Sequence, residues 1–181
     1  MSTLIDELME PKDRQAILLE RLLNALLIFL VLHALIAWFS NRFLIGHDAQ
    51  SVLCLKGQHR WYLIDREAKP QGSGDLLAFR SDDRMAPEIP TGTLVVKRIE
   101  GVSGDAIDIE HRRLVIQGLG LETPFPHRDR LRGRALREGT SLVIPEDAYW
   151  VMGDHPKSLD SRYFGAIGSD QVIGVAHALP F

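Results

Sequence analysis

The chain has 181 residues, 45% hydrophobic and 25% charged, with a formal net charge of −3; this leaves room for one anchor and one compact domain and little more. From residue 42 onward there are 18 Lys/Arg and 19 Asp/Glu, and without a basic excess to neutralise phosphates the domain is not expected to bind nucleic acid. Cys54 is the single cysteine and the histidines lack HExxH or other ligand spacing, so no intramolecular disulfide, Cys-based zinc site, other metal or cofactor is expected.

Residues 1–21 carry mixed charges, with Leu and Ile at helical spacing and Pro11 interrupting them. They read either as a short interfacial helix or as a solvated tail. Residues 22–41, LLNALLIFLVLHALIAWFSN, contain no charged residue and lie between Arg21 and Arg42. Twenty residues at about 1.5 Å each span roughly 30 Å, the thickness of a bilayer's hydrocarbon core. A buried soluble helix would show a polar stripe, and a cleaved signal peptide would have a shorter apolar core and a small-x-small exit. The expectation is therefore a transmembrane helix and a lipid-bilayer partner. Lys12, Arg14 and Arg21 before the span against Arg42 and Lys56 after it favour a cytoplasmic N-terminus.

Residues 42–181 form the expected soluble domain. Their apolar residues come in short runs separated by Gly, Pro and Asp, a strand pattern: 60–64, 76–80, 93–99, 106–110, 114–117, 141–144, 148–152 and 172–178. A mainly β, antiparallel class follows. AIDIEHRRLVIQG reads as a hairpin turning near His111–Arg113. The stretch 124–139, with five arginines, reads as a solvated loop or as a contact for anionic lipid headgroups.

Lys97 lies in TLVVKRI, where strand alternation puts Thr93, Val95, Lys97 and Ile99 on one face and Arg98 on the other. Two readings stay open. On an edge strand Lys97 faces solvent; on a buried face its charged form is disfavoured, and a neutral lysine can take a proton from a hydroxyl, which arginine cannot do. Cys54, between two leucines, reads as a small buried apolar residue rather than as a nucleophile.

The segment VMGDHPKSLDSRYFGAIG, residues 151–168, resembles the signature near the end of type I signal peptidases, with Gly153, Asp154, Ser158, Asp160, Ser161, Arg162, Tyr163 and Gly165 in place. LVVKRIEGVSGDAIDI, residues 94–109, resembles that family's lysine-bearing box through Lys97, Arg98, Gly101, Gly104 and Asp105. The likeness covers roughly residues 46–181. The single anchor and missing accessory domain look most like the conjugative-transfer signal peptidases, the TraF type.

That resemblance implies a signal-peptidase-like antiparallel β domain behind the membrane helix, on the periplasmic side of a bacterial inner membrane. It implies a serine endopeptidase with a Ser/Lys dyad, acting on an exported precursor protein or pilin. The nucleophile of such enzymes follows the membrane helix; of Ser51, Ser73 and Ser81, Ser51 is best placed. Ser158 matches the hydroxyl that orients the lysine. Asp160 and Arg162 match a bracing pair, Gly153 allows close backbone approach, and Asp154 supports the turn. Two departures stand out: Ser51 is followed by Val52, Leu53 and Cys54 rather than Met-x-Pro, and Ala49 replaces a hydroxyl that helps to hold the oxyanion. A general leader peptidase, an inactive tethered binding module and an assembly protein of a secretion apparatus are the alternatives.

Overall fold

The computed structural model describes residues 11–48, 53–57, 59–110, 113–116, 119–121 and 139–180. Ser51 and Ala49 lie outside the described residues, as does the arginine-rich stretch 124–139 except for Gly139. The chain divides into two compact units between Arg42 and Phe43.

The first unit holds α1 (Pro11–Arg42). Proline is tolerated in a first turn, where its missing N–H would have no intrahelical acceptor. Residues 11–21 therefore continue into the apolar stretch as one helix, rather than forming a segment broken at Pro11. Residues 14–42 are long and apolar enough to cross a membrane, and none of the apolar window is buried against protein. Leu22, Phe29 and Ile36 are all exposed, so the helix is apolar all round, as a lipid-facing helix is.

Among the described residues, the second unit holds eleven strands. They are β1 (Phe43–His47), β2 (Trp61–Asp65), β3 (Leu76–Arg80), β4 (Leu94–Val102), β5 (Ala106–Glu110), β6 (Arg113–Ile116), β7 (Leu119–Leu121), β8 (Thr140–Val143), β9 (Ala148–Met152), β10 (Ile167–Gly168) and β11 (Val172–Leu179). A one-turn helix, α2 (Ser161–Phe164), follows β9. One sheet runs β1-β2-β11-β3-β4-β9-β10 and the other β7-β6-β5-β8. Every pairing is antiparallel, so the mainly β class stands.

All eight sequence-predicted strands form, with ends shifted by a residue or a few. β4 runs furthest past its expected end because its register shifts between Ile99 and Gly101, which lets one strand pair β3 with its first half and β9 with its second. Glu110 pairs with Arg113, closing the expected hairpin around residues 111–112, themselves outside the described residues. β1, β7 and β10 were not expected.

Leu55, Tyr62, Ile64, Ala78 and Ala176 fill one face of the large sheet. Leu77, Phe79, Met85, Ile89, Ile99, Val151 and Ile167 fill the other. The smaller sheet packs Ile107, Ile109, Leu114 and Ile116 against Trp150 and Met152. β9 thus serves two cores, with Val151 on one side and its neighbours on the other, which explains its unbroken apolar run.

Candidate active site

Lys97 sits in the middle of β4, opposite Leu77 of β3. Its neighbours along the same face, Val95 and Ile99, belong to an apolar cluster, so the side chain is drawn inward and only 4% exposed. This decides between the two readings of the strand: Lys97 is buried and β4 is central. Nζ donates to Ser158 Oγ at 2.9 Å, across 61 residues of sequence. Among the described residues this is its one side-chain hydrogen bond, and no carboxylate forms an ion pair with it.

Ser158 is itself fully buried, held by a compact polar knot. Asp160 caps α2 and accepts two hydrogen bonds from Arg162, at 2.7 Å from Nε and 2.6 Å from Nη2. Arg162 Nη2 also donates to the Ser158 carbonyl at 3.3 Å. Burial pulls the guanidinium's pKa down, but the hydrogen bond and charge of Asp160 more than offset it, leaving it raised. Asp160 Oδ2 further accepts the Gly153 N–H at 3.0 Å, and Ser161 Oγ accepts the Val151 N–H at 2.9 Å. The knot is thereby fastened to β9. The segment is no ordinary polar turn: Ser158, Asp160, Ser161 and Arg162 are all buried. Gly153 is required here by space, since a Cβ would collide with Ser158 Oγ and stand 3.1 Å from the Cys54 carbonyl.

Asp154 ties a second piece of chain to this knot. It accepts the Lys56 N–H at 2.7 Å and Arg98 Nη2 at 3.2 Å. Burial raises its pKa, but the Lys56 N–H bond and the Arg98 side chain win, leaving it below the usual carboxylate value. The His155 N–H donates to the Cys54 carbonyl at 3.0 Å. The stretch 53–57, just after Ser51 in sequence, is thus strapped alongside 153–155.

A cleft of about 330 Å³ opens beside Lys97, walled by Gly46 to Asp48 from the end of β1, by Tyr62, by Ile89 and by residues 93–97 of β4. The sequence did not reveal it, because the large sheet curls until β1 meets the start of β4: a Cβ on Gly46 would lie 3.4 Å from Leu94. Within the cleft, burial and then the charge of Asp48 raise the Tyr62 pKa. A buried amine beside a hydroxyl at the end of an apolar-walled cleft can carry a proton to or from a bound chain.

Of the other hydroxyls, Ser81 donates to the Pro90 carbonyl at 2.6 Å and accepts the Thr93 N–H at 2.8 Å, a turn-locking role. Ser73 is exposed. Cys54 is buried. Among the described residues no group of His, Cys, Asp and Glu is arranged to hold a metal.

Residues 18–180 match the family model described as "Signal peptidase, peptidase S26". Signal peptidase IB of Staphylococcus aureus (strain N315) is 31% identical over 93 residues, which cover 44% of this chain and 49% of that protein. Signal peptidase I U of Bacillus subtilis (strain 168) is 30% identical over 118 residues, covering 62% of this chain and 61% of that protein. The chain therefore spans about half to three fifths of the length of these relatives. A solved signal peptidase I from Enterococcus faecalis V583 aligns with a TM-score of 0.40 at 29% identity, covering 60% of this chain and 98% of that one. With the family model running from within α1 to the residue after β11, the chain belongs to the signal peptidase family, peptidase S26.

Proposed function

We propose that this protein is a membrane-anchored serine endopeptidase that cuts exported precursor proteins, with Ser51 as nucleophile, Lys97 as general base and Ser158 orienting the lysine. The observation that carries this is the buried Lys97 amine, hydrogen-bonded to Ser158 at the end of a cleft. An uncharged amine there takes the Ser51 proton as the hydroxyl attacks the scissile carbonyl. The resulting ammonium then protonates the departing amine, leaving an ester on Ser51 that water cleaves. Chain reach supports the pairing. Asp48 borders the same cleft as Lys97 and the Cys54 carbonyl lies against Gly153, and the few residues between them extend at most about 3.3–3.6 Å each.

The cleft suits an extended chain. Among the described residues β1 pairs only with β2, and residues 94–97 of β4 pair only with β3. Two strand edges therefore face the cleft, ready to hydrogen-bond a substrate strand. The finer reading is a dedicated enzyme of a conjugation or secretion apparatus that matures a pilin, with the domain on the periplasmic side. Its support is the likeness to the conjugative-transfer signal peptidases read from the sequence, through one apolar anchor helix followed by a single β domain. Mass spectrometry of the mature product separates hydrolysis from attack by the pilin's own amino terminus.

The decisive experiment is precursor processing by Ser51→Ala, Lys97→Met and Cys54→Ala variants of matched thermal stability. The first two should lose about 10³-fold or more in rate and the third should keep most of it. Processing retained by Lys97→Met would dismiss the base assignment.

A further inference from the structure

The cleft beside Lys97 is uneven in charge. Ile89, Leu94, Val95 and Val96 make much of its wall apolar, and Asp48 is the one acid among its described lining residues. Asp48 is half-buried and continues the β1–β2 ladder. His47 pairs with Trp61, and the Asp48 N–H then donates to the Arg60 carbonyl at 2.8 Å. Alternation along that ladder puts Asp48 on the side of Gly46, away from Ile45 and His47. The Gly46 side faces inward: Gly46 pairs with Tyr62, and a Cβ on it would lie 3.2 Å from Ile64 and 3.4 Å from Leu94. His47 turns the other way, its ring 4.4 Å from that of Trp61. The Asp48 carboxylate is therefore directed at the Tyr62 and Leu94 walls of the cleft. In keeping with this, its charge follows burial among the causes that raise the Tyr62 pKa.

We propose that Asp48 forms a cation-accepting subsite of the cleft, selecting precursors with a Lys or Arg side chain close to the cleaved bond. The inference rests on the reading of this cleft as the place where a precursor strand is cut. Asp48 lies three residues before Ser51, so no more than about 11 Å of chain separates them. An extended substrate advances about 3.3 Å per residue, which puts the selected side chain within about three residues of the bond. A strand entering the cleft strips water from the carboxylate, and a cation replaces the lost hydration with a charged hydrogen bond. An apolar side chain there leaves the charge uncompensated, and a Glu adds repulsion. Arg60 holds the Asp48 carbonyl through Nη1 at 3.3 Å and is itself exposed. An arriving cation thus competes with a solvated guanidinium rather than a buried one.

The test measures kcat/KM for the full chain in phospholipid vesicles. The substrates are one exported precursor made with Lys, Gln or Glu at each position flanking its cleaved bond in turn. At one position Lys should be cut about tenfold faster than Glu, with Gln between them. Asp48→Asn should bring that ratio close to one, and Asp48→Lys should invert it. A wild type that cuts the Gln series without favouring Lys over Glu anywhere overturns this proposal and leaves the protease reading intact. A Lys preference that survives Asp48→Asn also overturns it. A wild type that cuts no member of the set removes the protease reading and this proposal together. Should the Asp48 variants fail to fold, the wild type is read in rising salt. A Lys preference that fades as charges are screened supports the subsite; one that persists overturns it.

Discussion

The lysine side of the candidate site and the strap beside it are held in different ways. Lys97, Ser158, Asp160 and Arg162 are buried and joined through side chains, with the ion pair closed twice over. The stretch 53–57 is instead held to 153–155 by backbone groups, the Lys56 N–H on Asp154 and the Cys54 carbonyl under His155. A proton acceptor benefits from being fixed before substrate arrives, since its geometry is then not reorganised during the reaction. A strap held by only a few backbone bonds adjusts more readily than the buried side-chain knot beside it.

Three substitutions probe this contrast. The largest effect is expected from Asp160→Ala, which leaves the Arg162 charge buried and the Gly153 N–H without its acceptor. A loss of about 3–5 kcal/mol in unfolding free energy is expected, and a much smaller loss would show that the lysine side is no more rigid than the strap. Gly153→Ala comes next, because its methyl meets both sides at once, Ser158 Oγ and the Cys54 carbonyl. Overpacking there should cost about 1–3 kcal/mol, with processing falling further than the melting shift accounts for. Asp154→Asn is the mildest, loosening the strap at Lys56 and the ion pair with Arg98 of β4: kcat should fall severalfold with KM little changed. Its stability effect has a definite sign. The Asp154 pKa is held below its ordinary 3.8 in the fold, so its contribution is present above that value and lost as pH falls through the folded one. The stability gap between wild type and Asp154→Asn, read by denaturant unfolding, should be constant at neutral pH and close in acid.

The sequence made the strands and the lysine's face readable to different degrees. Alternation in β4 placed Lys97 with Ile99 and away from Arg98, but it could not say which face was buried. That is settled by the knot arriving 61 residues later. β1, FLIGH, follows the apolar helix after Arg42 with no turn residue between them and shows no clear alternation, and its pairing with β2 makes it a strand. β7 and β10, three and two residues long, are too short to display a period. The cleft is a product of sheet curl and has no local signal at all. Ser51 lies outside the described residues, and its assignment still comes from position and resemblance.

β11 enters the large sheet between β2 and β3, joining the first strands of the domain to those that carry the lysine. Until that strand is in place, the two walls of the cleft have no common frame, since in the described sheet β1 and β2 are joined to β3 and β4 only through it. The order of the sheet thus makes the cleft a late product of folding, complete only when segments far apart in the chain have paired.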